Sequence, residues 1–351
     1  MPSKQATLFL SAVFFPFAFL RVHAQDVPKL ELTIREKITV EAAGLSPTLA
    51  SSSPVCDGAG NIYLQPAPAD NRAQPVTRIS ADGQHVTIFS LDSVPGLSAG
   101  SIIDSFAVTP RGEVFALAFD GETNQLITFR DDGQFDSARK IDREIDSSHF
   151  AVFPTGEFLL RGIEESASPV KTHEDAFTGL FDRNGKFLKE VAISDELPFK
   201  SRAEFTEREE FRKQDRAARE AVSSSQTISA DDGNVYIVRP SKSLSVDVVS
   251  PGGEVVRRLT LKPPGLSFQA GSLKVAGGKF VVEYFQKAAG DPQNRISNII
   301  YSILDAESGD RLYDYSWPAE AGGIFACYTP DSFTFLQAGE RGLNILHAGP
   351  R

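Results

Sequence analysis

Short apolar runs alternate with glycine turns along almost the whole chain. The phrase CDGAGNIYLQP (56–66) places a turn glycine ahead of a short apolar strand. The phrase returns as VTPRGEVFALA (108–118), VFPTGEFLLRG (152–162), SADDGNVYIVR (229–239) and KVAGGKFVVEY (274–284). A weaker copy, CYTPDSFTFLQ (327–337), carries Ser332 where the others carry glycine. Successive anchors lie 52, 44, 77, 45 and 54 residues apart. A self-similar period of this size marks a repeat architecture.

Each phrase has a second one behind it. RISADGQ (78–84), TFRDDGQF (128–135), LFDRNGKF (180–187), VVSPGGEV (248–255) and ILDAESGD (303–310) set a tight turn between apolar residues. Asp-Gly, Asn-Gly and Gly-Gly are strong hairpin signals, because the turn needs a left-handed backbone. One unit therefore reads as a four-stranded antiparallel meander. After Ser332 there is room for only two more strands. Leu30–Val40 has strand character and precedes the first full unit. It is expected to complete the last unit and so remove an exposed sheet edge.

The shared strand starts and Asp-Gly turns resemble those of six-bladed β-propellers of the NHL and TolB-like kind. The resemblance spans about residues 30–348. It implies an all-β, six-bladed propeller of four-stranded blades, in which the N-terminal strand closes the last blade. It does not imply an activity, since the motif residues form turns and core.

The gap of 77 holds an insert at about 195–225, between the third and fourth units. From Ser201 to Val222 it lacks Gly and Pro and is rich in Glu, Arg and Ala, which favours a helix. Ser201 and Glu204 have the spacing of a capping box. Phe205 and Phe211 are its large apolar residues, able to pin a solvated helix to the rim or to dock a partner. Together with the loops 65–75, 163–177 and 286–298, this predicts one loop-rich face and one plain face.

The first 24 residues read as an export signal. Lys4 precedes an apolar run from Ala6 to Leu20, and small residues surround a cut before Gln25. The run is shorter than the roughly 20 residues needed to span a bilayer. The mature chain, 25–351, is expected to be a single propeller domain, periplasmic or extracellular and not membrane-spanning. The full chain of 351 residues carries a net charge of -10. That acidity argues against nucleic acid as a partner.

If the repeat is a blade, the residues seven and eight positions before each anchor ring the channel mouth. These are Ser52/Ser53, Asp104/Ser105, Ser148/His149, Ser225/Gln226, Ala270/Gly271 and Ile324/Phe325. Ser53, Asp104, Ser105, His149 and Gln226 are the binding candidates, a lining suited to a polar protein or carbohydrate ligand. Asp104 and His149 are the ring's two ionisable groups and the candidates for any catalysis. Related propellers that are lactonases or lyases hold a divalent metal with several inward acids, amides or imidazoles. One carboxylate and one imidazole are too few for a zinc or calcium cage, so no cofactor is expected. His173, Glu174 and Asp175 read as a solvated loop. The favoured reading is a non-catalytic binding or scaffold protein; the alternative is a metal-assisted hydrolase or lyase at the channel mouth.

Cys56 and Cys327 fall on innermost strands of the first and last units. A bond there would lock the seam of the ring. Their offsets from the anchors differ by one residue, so two buried free thiols are the expected state.

Overall fold

The computed structural model describes residues 27–351, apart from 42–52, 67–73, 166–173, 194–215, 217–218, 240–242, 291–294 and the single positions 99, 122, 144, 221, 289, 331 and 341. The chain opens with β1 (Lys29–Val40). Four antiparallel four-stranded sheets follow in chain order. The first holds β2 (Val55–Cys56), β3 (Ile62–Leu64), β4 (Val76–Ile79) and β5 (Val86–Phe89). The second holds β6 (Ile102–Val108), β7 (Val114–Phe119), β8 (Asn124–Phe129) and β9 (Phe135–Lys140). The third holds β10 (Ile145–Val152), β11 (Phe158–Glu165), β12 (Glu174–Phe181) and β13 (Phe187–Glu190). The fourth holds β14 (Gln226–Ser229), β15 (Val235–Arg239), β16 (Leu244–Val249) and β17 (Val255–Leu261).

The remaining strands are β18 (Gln269–Ala276), β19 (Lys279–Lys287), β20 (Ile296–Asp305), β21 (Arg311–Trp317), β22 (Ile324–Thr329), β23 (Ser332–Gly339) and β24 (Gly342–Pro350). Together with β1 they form one eight-stranded sheet in the order β18-β19-β20-β21-β1-β24-β23-β22. Six separate sheets were expected, and β1 is the reason for the difference. Its residues Leu32 to Val40 pair antiparallel with β24. Its first three residues, Lys29 to Glu31, pair in parallel with β21. One long strand therefore stitches two neighbouring units edge to edge.

The arrangement is propeller-like, with apolar faces stacked between sheets. Phe89 and Phe129 meet edge to face across the first pair of sheets, at 5.7 Å between centroids. Tyr236 and Phe280 do the same between the fourth sheet and β19, at 5.5 Å. The aromatic content thus fills the inter-sheet layers, where ring pairs contribute beyond their buried area. Outer strands alternate half-buried and exposed residues, as in β9 and β17, and they carry charge, which discourages edge pairing.

The Asp-Gly turns explain how the sheets nest. Gly133 has φ +86, and a Cβ there would lie 2.4 Å from the Ile88 carbonyl oxygen on β5. Gly185, with φ +85, would meet the Lys140 carbonyl oxygen on β9 at 2.5 Å. Each turn therefore abuts the outer strand of the sheet before it, at a distance only glycine permits. Gly83, in the first sheet, abuts the Ile38 and Val40 side chains of β1.

Two repeat-encoded ties hold the inner turns. Asp57 accepts hydrogen bonds from the Ala59 and Asn61 amides, the Asn61 side chain and the Tyr63 hydroxyl, the last at 2.8 Å. Asp232 takes the same role for Asn234 and Tyr236, with the Tyr236 hydroxyl at 2.7 Å. Burial, with the adjacent carboxylate, pushes both phenols well above their ordinary range.

Cys56 and Cys327 are bonded to each other, with Cα atoms 5.8 Å apart. This corrects the expectation of two free thiols. Cys56 pairs with Ile62 and Cys327 with Thr334, each two residues beyond its anchor, so the one-residue difference falls in the turn and the two cysteines hold equivalent ladder positions. The insert at 195–225, including Phe205 and Phe211, lies almost wholly outside the described residues. Of its end, Arg216, Arg219, Glu220, Val222 and Ser223 have helical backbone. No helix among the described residues is long and apolar enough to cross a membrane.

Candidate functional site

A cavity of about 450 Å³ is lined by residues from β2, β6, β10, β14, β18 and β22. Ser53, Asp104, Ser105, His149 and Gln226 all line it, so the five binding candidates converge on one space. Two strands, β6 and β10, supply theirs through a common irregularity. The β6–β7 register shifts between Ile103 and Ser105, leaving Asp104 on a bulge. The β10–β11 register shifts between Ser147 and His149. Bulges re-aim side chains at strand ends, and here they present a carboxylate and an imidazole on neighbouring strands.

Two of the expected pairs do not contribute. Ala270/Gly271 and Ile324/Phe325 are replaced in the lining by Leu273–Ala276 and by Ala326, Cys327 and Tyr328. β18 bulges between Ala270 and Leu273, and β22 between Phe325 and Cys327, and the lining there runs from Leu273 and from Ala326 onward. The uniform offset from the anchor fails in these two strands. His173 lies outside the described residues. No group of three or more His, Cys, Asp or Glu side chains able to hold a metal ion occurs among the described residues.

His149 is packed against the helical turn that precedes β14. Burial pulls its pKa below the ordinary value; the Arg161 cation acts in the same direction, and hydrogen bonds to backbone at Ser223 and Val222 oppose it. Its Nε2 has no hydrogen-bond partner among the described residues. The imidazole is thus held neutral, with one nitrogen anchored. Arg161 itself is fully buried. It donates from Nε to the Ser225 hydroxyl at 2.9 Å and from Nη1 to the Thr178 hydroxyl at 2.7 Å. Ser225 in turn donates to the Val222 carbonyl, so the cavity wall around His149 is a connected polar layer.

Asp57, Gln65, Tyr328 and Lys274 are among the lining groups not singled out from the sequence. Asp57 and Gln65 are occupied by structure: Asp57 closes its turn, and Gln65 bridges to the Gln74 and Ile103 carbonyls. Tyr328 lies on β22. Lys274 is the cavity's one lysine among the described residues, and its Nζ donates to the Pro54 carbonyl. Burial lowers its pKa from 10.5 to about 8, against a smaller opposing pull from Glu283. A signal for Lys274 existed. It stands four residues before its anchor, where the sister phrases carry Cys56, Val108, Val152, Ser229 and Tyr328.

No protein-family model matches the chain, and no curated protein sequence matches it. Solved structures do. A Bacteroides fragilis protein predicted to be exported superposes with a TM-score of 0.53 at 10% identity, covering 92% of this chain and 99% of its own. A member of the DUF4221 family from Bacteroides vulgatus gives 0.52 at 10% identity, covering 92% and 98%. The virginiamycin B lyase of Staphylococcus aureus gives 0.45 at 11% identity, covering 91% and 99%. These are likenesses of fold: the chain has a β-propeller arrangement. At such identities they carry no activity across.

Proposed function

We propose that the chain is an exported, non-catalytic binding or scaffold propeller of six blades, resembling the NHL and TolB-like kind, with a polar ligand seated in the central cavity. The observation that carries this reading is the cavity, with lining from six innermost strands and serine, glutamine, carboxylate and imidazole groups grouped together. Polar groups converging in a preformed concave site are the usual signature of ligand binding.

The count of six rests on turn packing. Gly133, Gly185, Gly253 and Gly309 each abut an outer or adjoining strand of the sheet before them, and Gly83 abuts β1. By that rule β1 is the outer strand of the blade preceding the first, and the eight-stranded sheet is two blades joined at β21 and β1. Export is supported by the signal-like residues 1–24 and by the disulfide, which persists in an oxidising compartment. On this reading residues 25–351 form one domain, and Phe205 and Phe211 are the residues through which it engages a protein partner.

The test is an unbiased glycan and peptide binding screen on the mature protein, repeated with an Asp104→Ala/His149→Ala/Gln226→Ala variant. A ligand lost in the variant supports the reading. A ligand bound equally by both places recognition elsewhere. The alternative, metal-assisted hydrolysis or elimination at Asp104 and His149, is favoured by their position on adjacent bulged strands. Stoichiometric calcium or zinc on the pure protein, lost in the same variant, would move the assignment to it.

A further inference from the structure

Lys274 stands apart from the other lining groups. It occupies a position in the innermost strand β18 where the sister strands carry small, apolar or uncharged residues. Leu273 and Val275 on either side of it pack into the apolar layer between sheets. Its own side chain faces the cavity and reaches the Pro54 carbonyl, just ahead of β2. Glu283 lies behind it. That carboxylate accepts from the Tyr301 hydroxyl at 3.0 Å and from the Ser272 hydroxyl at 3.0 Å, so it is held in place by groups other than the amine. The ammonium form has three donors, and the structure gives Nζ one acceptor among the described residues.

We propose that Lys274 is the nucleophile of a covalent binding site in the central cavity, which captures a small aldehyde or ketone as an imine. This rests on the reading of the cavity as the ligand site and names the ligand's chemical class. The neutral amine attacks the carbonyl carbon through its lone pair. The carbonyl oxygen leaves as water with the two amine protons, and a C=N bond replaces the C=O bond. No oxidant or reductant is consumed. A desolvated lysine in a cavity wall is suited to this step, because burial raises the fraction of neutral amine. With a pKa of about 8, roughly a quarter of the amine is neutral at pH 7.5, against about 0.1% for an ordinary lysine. Lower basicity reduces the reactivity of each neutral amine, so the expected net advantage is about tenfold.

The experiment uses glyceraldehyde with cyanoborohydride at pH 7.5 on the mature, disulfide-intact protein, with labelling quantified by peptide mass spectrometry. Lys274 is expected to label about tenfold faster than the exposed Lys37, Lys140 and Lys186. Its rate is expected to rise with a midpoint near pH 8, while theirs keep climbing above pH 9. In a Lys274→Arg variant the fast-labelling peptide disappears and the surface rates stay unchanged. Labelling of Lys274 at or below the surface rate overturns the inference. So does loss of selectivity on going from pH 9 to pH 7.5. Either failure leaves the cavity reading intact, because that reading fails only if a ligand from the screen is indifferent to the Asp104, His149 and Gln226 substitutions.

Discussion

Removing the Cys56–Cys327 bond should weaken the whole ring, and the size of the effect follows from its place in the chain. The two residues are 271 positions apart, so the bond closes nearly the entire domain into one loop. In the chain-entropy account, a cross-link over so long a loop stabilises by about 5 kcal/mol at most. The native seam does not depend on it alone, since β1 joins β24 through eight register pairs and touches β21 as well. The expected loss in a Cys56→Ala/Cys327→Ala variant is therefore about 2–5 kcal/mol. At about 1.5 °C per kcal/mol for a chain of this size, the melting temperature should fall by roughly 3–7 °C. The assay is urea and thermal unfolding of the wild type, the reduced wild type and the double variant, followed by circular dichroism. Reduction and substitution should give the same shift. A thiol count on the unfolded, unreduced protein should give none. Two reactive thiols would refute the pairing, and an unchanged midpoint in the variant would refute the view that the bond locks the seam.

Further outcomes follow from single positions. Gly133→Ala should destabilise by roughly 2–4 kcal/mol, because the residue has φ +86 and a Cβ would meet a backbone oxygen at 2.4 Å; urea unfolding reads it, and a neutral result would undo the turn-packing argument for the blade count. Leu32→Ala on β1 should cost about 2–4 kcal/mol, since Leu32 is 1% exposed within the last apolar layer; a cost under about 0.5 kcal/mol would mean that β1 does not close the ring in solution. Lys274 binds fewer protons folded than unfolded between pH 8 and 10.5, so its contribution to stability rises with pH, by about 2 kcal/mol from pH 7.5 to 9.5. The buried tyrosines, Tyr284 among them at about 12, act in the opposite direction near pH 10 and above. The difference between wild type and Lys274→Met isolates the lysine, and a flat difference across that window contradicts its burial. His149 should titrate below 6.5 in a proton NMR pH series, because its neutral form is favoured by burial and by Arg161; a midpoint above 6.5 would place it in a different environment.

The periodic phrases made the strands, the inner turns and the closing role of Leu30–Val40 legible, because turn glycines and alternating apolar residues report local backbone demands directly. Bulges left no comparable mark. Asp104 and His149 sit at the shifts in β6 and β10 and line the cavity, whereas in β18 and β22 the lining begins beyond Gly271 and Phe325 and includes Lys274 and Cys327. The double pairing of β1 was hidden for a related reason. Its twelve residues look like one strand, and only the packing of two sheet edges shows that Lys29–Glu31 serve one neighbour and Leu32–Val40 the other. Lys274 was visible as a charge out of place among the repeats, yet its chemistry depends on burial that a one-dimensional reading does not contain.

The central claim is that ligand recognition takes place in the cavity lined by the innermost strands. Native mass spectrometry of the mature protein against a mixed library of small glycans and peptides, beside the Asp104→Ala/His149→Ala/Gln226→Ala variant, tests it most directly. The account predicts one ligand per chain on the wild type and at least tenfold weaker binding to the variant with its melting temperature preserved. Equal binding by both proteins would contradict it.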